Sequence, residues 1–161
     1  MKQRAFFLDR DGVLNFAAKG PPNSPQELVM IPGVGEAIKI LNNLGYRIFV
    51  VTNQGGVGLG YFTQRDLDSI HRRLEEEIAT KGGQIDEIIA CTHKPFFGCS
   101  CRKPKPGMLT TLAKKYGIDL TNSYMVGDRD IDIQAGQAAG TKTIFIGQAN
   151  QAPVGVHIIS P

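Results

Sequence analysis

Phe6-Phe7-Leu8-Asp9-Arg10-Asp11-Gly12-Val13-Leu14-Asn15 carries an apolar run into two carboxylates spaced i and i+2, followed by a glycine. Residues 5–8 read as a buried strand, and Gly12 permits a sharp turn out of it, so Asp9 and Asp11 are predicted at the strand's carboxyl end. In open α/β sheets, ligands bind at that edge. Two carboxylates there suit a hard cation whose remaining positions phosphate oxygens fill. A carboxylate left over can attack phosphorus or carry the leaving group's proton. A surface loop with two solvated aspartates has the same local pattern, so the motif needs partners elsewhere in the chain.

Outward from this stretch, residues 16–32 contain Pro21, Pro22, Pro25 and Pro32 and are predicted as an irregular loop, long enough to cover a substrate. Val34, Ala37, Ile38, Leu41 and Leu44 keep helical spacing up to a capping Gly45. Residues 47–51 form a second buried strand, ending on a polar turn at residues 52–56. Thr63 with Asp66 makes a helix N-terminus, and Leu67, Ile70, Leu74 and Ile78 stripe a helix that stops near Gly82. His71, within it, reads as a surface histidine. Further strands are expected at 86–90, 123–126 and 143–146, with a short edge strand at 156–159. Between them lie a helix from Pro106 to Gly117, with Met108, Leu109, Leu112 and Tyr116 on its apolar face, and another over 131–139. Strands alternating with helices predict right-handed β-α-β units, hence an α/β, three-layer, doubly wound and mainly parallel sheet.

With 161 residues, 42% of them hydrophobic, the chain fits one domain spanning 1–161 with a substantial core. Its 18 basic and 15 acidic residues give a net charge of +3 without a dense Lys/Arg block, which argues against a nucleic-acid partner and for a mild preference for anions. No apolar stretch resembles a signal-peptide core or approaches membrane-spanning length, so a soluble, cytoplasmic protein is expected. The three cysteines, clustered at 91, 99 and 101, do not make a disulfide framework. Cys91-x-His93-x5-Cys99-x-Cys101 instead offers three thiolates and one imidazole to a closed, tetrahedral structural zinc ion. That loop runs directly into Arg102 and Lys103 and would fix both cations in place.

Separate strand ends thus carry Asp9 and Asp11, then Thr52 and Asn53, then Arg102 and Lys103, then Asp128, Arg129 and Asp132. A phosphate ester needs its cation held by carboxylates, its oxygens met by hydroxyl and amide donors, and its growing charge offset by a fixed cation. Taken singly, each residue has an ordinary structural reading as a turn, a helix cap or a solvated lysine; together they supply every requirement. Arg102, whose planar fork can grip a phosphate, is the candidate for a substrate's non-reacting phosphate, with Asn53 and Arg129 as further substrate contacts.

The sequence resembles the haloacid-dehalogenase-like (HAD) phosphatases through L-D-R-D-G at 8–12, V-T-N-Q at 51–54, R-K-P at 102–104 and G-D-R-D-I-D at 127–132. The resemblance implies a Rossmann-like core in which Asp9 is the nucleophile that forms an aspartyl-phosphate and Asp11 the acid that protonates the leaving alcohol and then activates water. Thr52 and Lys103 would hold the transferring phosphoryl group. Magnesium would be bound by Asp9, by Asp128 and by Asp11 through its main-chain carbonyl, with Asp132 as a supporting acid. The zinc loop followed by C-R-K-P is similar to a subgroup without a separate cap domain. That subgroup includes phosphatases of D-glycero-D-manno-heptose 1,7-bisphosphate and of histidinol phosphate. The resulting expectation is a magnesium-dependent phosphoric monoester hydrolase of carbohydrate metabolism that removes the 7-phosphate of the heptose bisphosphate, as a monomer or weak homodimer. Histidinol phosphate or another sugar phosphate is the alternative substrate, and a nucleic-acid 3′-phosphate a more remote one.

Overall fold

The computed structural model describes residues 2–153 and 157–159. Its elements in chain order are β1 (Arg4–Leu8), α1 (Val34–Asn43), β2 (Tyr46–Asn53), α2 (Gln64–Thr80), β3 (Glu87–Cys91), α3 (Gly107–Tyr116), β4 (Tyr124–Gly127), α4 (Asp130–Ala139), β5 (Lys142–Ile146) and β6 (His157–Ile159). The strands form one parallel sheet in the order β3-β2-β1-β4-β5-β6. The chain moves outward from β1 to β2 and β3, then crosses back to pair β4 with the other side of β1. This reversal opens a crevice at the carboxyl ends of β1 and β4, the position where such sheets bind ligands.

Strands covered on both faces must be apolar on both, which explains the uninterrupted run in β1. Phe7 meets Phe49, Val51, Met125, Leu109, Leu112 and Ala135 on the α3/α4 side, while Leu8 joins Ile48, Val50, Val126, Ile38, Ile70 and Leu74 on the α1/α2 side. The stripe on α2 buries Leu67, Ile70, Leu74 and Ile78 as its spacing predicts, behind a capping box between Thr63 and Asp66. Glycines 117 and 140 end α3 and α4 in the left-handed conformation.

The prediction differs from the structure in a few places. Thr52 and Asn53 belong to β2 and not to the following turn, because β3 extends the ladder by pairing them with Ala90 and Cys91. Leu44 lies past the last helical residue of α1 and is 59% exposed, outside the buried stripe. Ser123 precedes β4; its hydroxyl donates to the Asp119 carbonyl and accepts the Ala5 amide. The edge strand is present at His157–Ile159, and Val156 lies outside the described residues. The loop over 16–32 is irregular apart from one 3-10 turn at Pro25–Glu27, and main-chain bonds from Phe16 to Val29 and from Ile31 to Leu14 pin it beside β1. No helix among the described residues is long and apolar enough to cross a membrane.

Candidate active site

Asp9 follows the last residue of β1, and its amide donates to the Val126 carbonyl of β4, which fixes it in the crevice. Gly12 turns the chain with φ +82°, and a side chain there would collide with the Asp128 carboxylate. Gly127 is equally constrained, since a Cβ atom would run into Asp132. These two glycines let the β1 and β4 loops approach until carboxylate oxygens of Asp9, Asp128 and Asp132 lie within 4.8 Å of one another.

Lys103 reaches into this acidic cluster from the loop before α3. Its ammonium sits 2.8 Å from Asp9 Oδ1, 2.7 Å from Asp132 Oδ1 and 2.7 Å from the Val51 carbonyl, with the side chain 1% exposed. Two of its protons are thus hydrogen-bonded, to Asp9 and to the Val51 carbonyl, and the Asp132 contact is an ion pair. Asn53, a predicted substrate contact, uses both ends of its amide on the Lys103 main chain, donating to the carbonyl and accepting the N–H at 3.0 Å each. Extension of β2 through Asn53 is thus what seats the lysine. Asp132 also accepts the Arg129 amide at 3.1 Å, which caps α4.

Burial pushes Asp9 up to about 6, the charge of Asp132 adds to the rise, and Lys103 opposes it. Burial alone would lower Lys103, but the two carboxylates outweigh it and raise its pKa, so the lysine stays charged. Asp128 is raised as well, by burial first and then by Asp132, and its Oδ1 is buried without a hydrogen-bond partner. Three carboxylates against one ammonium leave two negative charges when all are ionised, which a divalent cation neutralises. An orphaned buried oxygen in an all-oxygen donor set fits magnesium.

The Asp11 carboxylate does not join this cluster. Arg10 donates to both of its oxygens at 3.0 Å, Asn15 Nδ2 donates to Oδ1 at 3.0 Å, and Gln54 Nε2 donates to Oδ2 at 2.8 Å. Gln54 also donates to the Thr52 hydroxyl at 2.8 Å. Asp11 can reach a metal only through its main chain in this arrangement, as the resemblance implies. Gln54, Arg10 and Asn15 were not singled out from the sequence. Gln54 sits inside V-T-N-Q and Arg10 between the two aspartates, but nothing in their spacing indicates that both turn onto Asp11. His71, expected at the surface, instead places Nε2 3.1 Å from Arg10 Nη1, because α2 packs its neighbour Ile70 under the strand end.

The cysteine loop closes on itself as its spacing predicts. Cys91 Sγ lies 3.1 Å from Cys101 Sγ and 3.6 Å from Cys99 Sγ, and His93 Nδ1 lies 3.3 Å from Cys101 and 3.5 Å from Cys91. A tetrahedral ion with metal–sulfur bonds of about 2.3 Å would set its sulfurs ~3.8 Å apart, so the cluster has the size of a zinc site. Burial and the neighbouring Cys91 and Cys99 push the Cys101 thiol up to about 12, a crowding of sulfurs that a cation would relieve. The Phe97 ring stacks on His93 at 4.9 Å. Beyond this loop a cleft of about 520 Å³ is lined by Phe96, Phe97, Arg102, Lys103, Lys105 and Arg129, so Arg102 and Arg129 do face one space. Arg102 Nη1 is buried and has no protein partner.

A doubly wound sheet with acids at adjacent strand ends and a lysine between them defines a HAD-like hydrolase, and residues 100–154 match the HAD-hydrolase-like family. Over 143 residues the chain is 39% identical to the D-glycero-beta-D-manno-heptose-1,7-bisphosphate 7-phosphatase of Pseudomonas putida, covering 89% of this chain and 82% of the relative. Over 140 residues it is 37% identical to the Helicobacter pylori protein of the same name, covering 86% and 80%. The crystal structure of D,D-heptose 1,7-bisphosphate phosphatase from Bordetella bronchiseptica, complexed with magnesium and phosphate, aligns with a TM-score of 0.90 at 34% identity. That alignment covers 98% of this chain and 92% of that one. The chain belongs to the HAD-like phosphatase family, with these heptose bisphosphate phosphatases among its relatives.

Proposed function

We propose that this protein hydrolyses the 7-phosphate of D-glycero-β-D-manno-heptose 1,7-bisphosphate through an aspartyl-phosphate on Asp9. The observation that carries the reading is the buried Asp9–Lys103–Asp132 array opening beside a cleft that holds Arg102, Lys105 and Arg129. Relatives named for this reaction match over most of their length. Magnesium, held by Asp9, Asp128 and the Asp11 carbonyl, supplies charge neutralisation at the transferring phosphoryl group. Zinc, held by Cys91, His93, Cys99 and Cys101, is structural.

An Asp9 carboxylate oxygen attacks phosphorus. The bond from phosphorus to the C7 oxygen breaks, and the electron pair stays on that oxygen, which takes a proton from Asp11. Asp11 then removes a proton from water, the water oxygen bonds to phosphorus, and the Asp9–phosphorus bond breaks to give inorganic phosphate and the free carboxylate. Lys103 keeps Asp9 aligned and offsets the charge that Asp132 adds, while Thr52 donates to the phosphoryl oxygens from its place beside Gln54. Asn53 acts through Lys103, whose main chain it clamps. Arg102, with its unpartnered Nη1, and Arg129 take the 1-phosphate. The same reading treats residues 1–161 as one cytoplasmic domain that works as a monomer or weak homodimer.

Phosphate release from both heptose bisphosphate anomers, histidinol phosphate and a 3′-phosphorylated oligonucleotide, with and without magnesium, tests the assignment. The β anomer should lead, and only with magnesium. Arg102→Ala should lower its kcat/KM on the order of 10- to 100-fold, the range of a lost charge-assisted contact, while changing p-nitrophenyl phosphate hydrolysis little. Histidinol phosphate outperforming both bisphosphates would replace the substrate and leave the chemistry standing.

A further inference from the structure

Among the described residues Arg10 is the largest side chain with no exposure, although it carries a permanent charge. A buried guanidinium needs acceptors on every side. Nε and Nη2 find theirs in the Asp11 carboxylate, and Nη1 finds His71 Nε2 at 3.1 Å. Because arginine can only donate, His71 Nε2 must accept, which places the single imidazole proton on Nδ1. Burial, and then the Arg10 charge, lower the His71 pKa to about 4, against smaller opposing effects of Asp68 and Asp11, so the ring is neutral near pH 7.

We propose that His71 and Arg10 are positioning residues for Asp11, an inference that rests on the general-acid role assigned to Asp11 above. Helix α2 is docked on the sheet by Ile70 and Leu74, so it holds His71 at a fixed height over the strand end. His71 then fixes the guanidinium, and the guanidinium fixes both Asp11 oxygens. Gln54 continues the array from Asp11 Oδ2 to the Thr52 hydroxyl. Asp11 lies beyond the end of β1 and next to the Gly12 turn, so the strand ladder does not fix its side chain. The array supplies that restraint from a helix whose His71 lies 61 residues from Arg10 in sequence.

A displaced general acid harms substrates in proportion to how badly their leaving groups need a proton. The reporter is therefore the ratio of kcat/KM for the heptose 7-phosphate, an alkyl ester, to kcat/KM for p-nitrophenyl phosphate, whose leaving group departs as a stable anion. His71→Phe keeps a ring but removes the acceptor, and the ratio should fall on the order of 10- to 100-fold. His71→Gln, whose Oε1 can accept from Arg10, should hold the ratio within about threefold of wild type. Nitrogen NMR of the wild-type ring should show the neutral Nδ1–H form at pH 7, a readout independent of how well the variants fold. An unchanged ratio in His71→Phe, a ratio in His71→Gln as low as in His71→Phe, or a ring carrying its proton on Nε2 would overturn the proposal. Asp11→Asn separates the two readings. If it lowers kcat/KM for both substrates alike, the acid assignment itself fails, since hydrolysis of the shared aspartyl-phosphate affects only kcat. If it shows the split and His71→Phe does not, only the positioning role fails.

Discussion

Lys103→Met keeps the length of the side chain and removes its ammonium from between two carboxylates. Asp9 Oδ1 and Asp132 Oδ1, at 2.8 and 2.7 Å, then face each other in a space where Asp132 is 1% and Asp9 9% exposed. Removing one partner of a buried ion pair costs about 3–5 kcal/mol, because the remaining charge has lost both its solvent and its counter-ion. Part of that cost is avoidable by protonation. Asp9 already titrates near 6 with the lysine present, and without it Asp9 should rise further. An acid whose folded pKa exceeds its unfolded value binds more protons in the folded state, so stability falls as pH rises from the unfolded value through the folded one. The variant should therefore lose more stability at pH 8 than at pH 5, each measured against wild type by urea unfolding in magnesium-free buffer. Catalysis should be abolished on alkyl and aryl esters alike. A loss under about 1 kcal/mol at pH 8, or equal losses at the two pH values, would show that the lysine does not compensate this acid cluster.

Asp9→Asn should leave the circular dichroism spectrum unchanged and remove turnover; retention of more than about a tenth of wild-type turnover would exclude covalent catalysis at this residue. The purified protein should contain about one zinc ion per chain, and Cys99→Ser should lose it and lower activity by loosening the loop that carries Arg102 and Lys103. Metal analysis finding no zinc in chelator-free preparations would remove the structural-zinc assignment. Because burial holds the Asp9 pKa near 6 and ligation requires the carboxylate, the magnesium concentration for half-maximal activity should rise as pH falls below 6. One displaced proton predicts about tenfold per pH unit, and a requirement that stays flat between pH 5 and 6 would argue against Asp9 as a ligand.

The elements with a strong local signal were legible in the chain itself. Apolar runs bounded by glycine located β1 and β2, and the Thr63–Asp66 box with four evenly spaced apolar residues located α2. The compact Cys-x-His-x5-Cys-x-Cys spacing brought four metal-type ligands together without help from the rest of the fold. Asp9, Lys103, Asp128 and Asp132 could be picked out because each follows or precedes a recognisable strand or helix; the three acids meet because β1 and β4 are neighbours, whereas Lys103 is seated by Asn53. Tertiary structure decided what their neighbours do. Asn53, expected to touch the substrate, lines the cleft beside Arg102 but commits its amide to the Lys103 backbone, 50 residues away, because β3 lengthens β2. His71 has the spacing of a surface residue on α2, yet its neighbour Ile70 packs in the cluster that holds Leu8 of β1, and a guanidinium with no access to water takes the imidazole as its acceptor. Periodicity reports which face of an element is apolar. It carries no information about which polar group on another element lies opposite, because that pairing is fixed only when two separately formed elements pack and their buried donors must find acceptors.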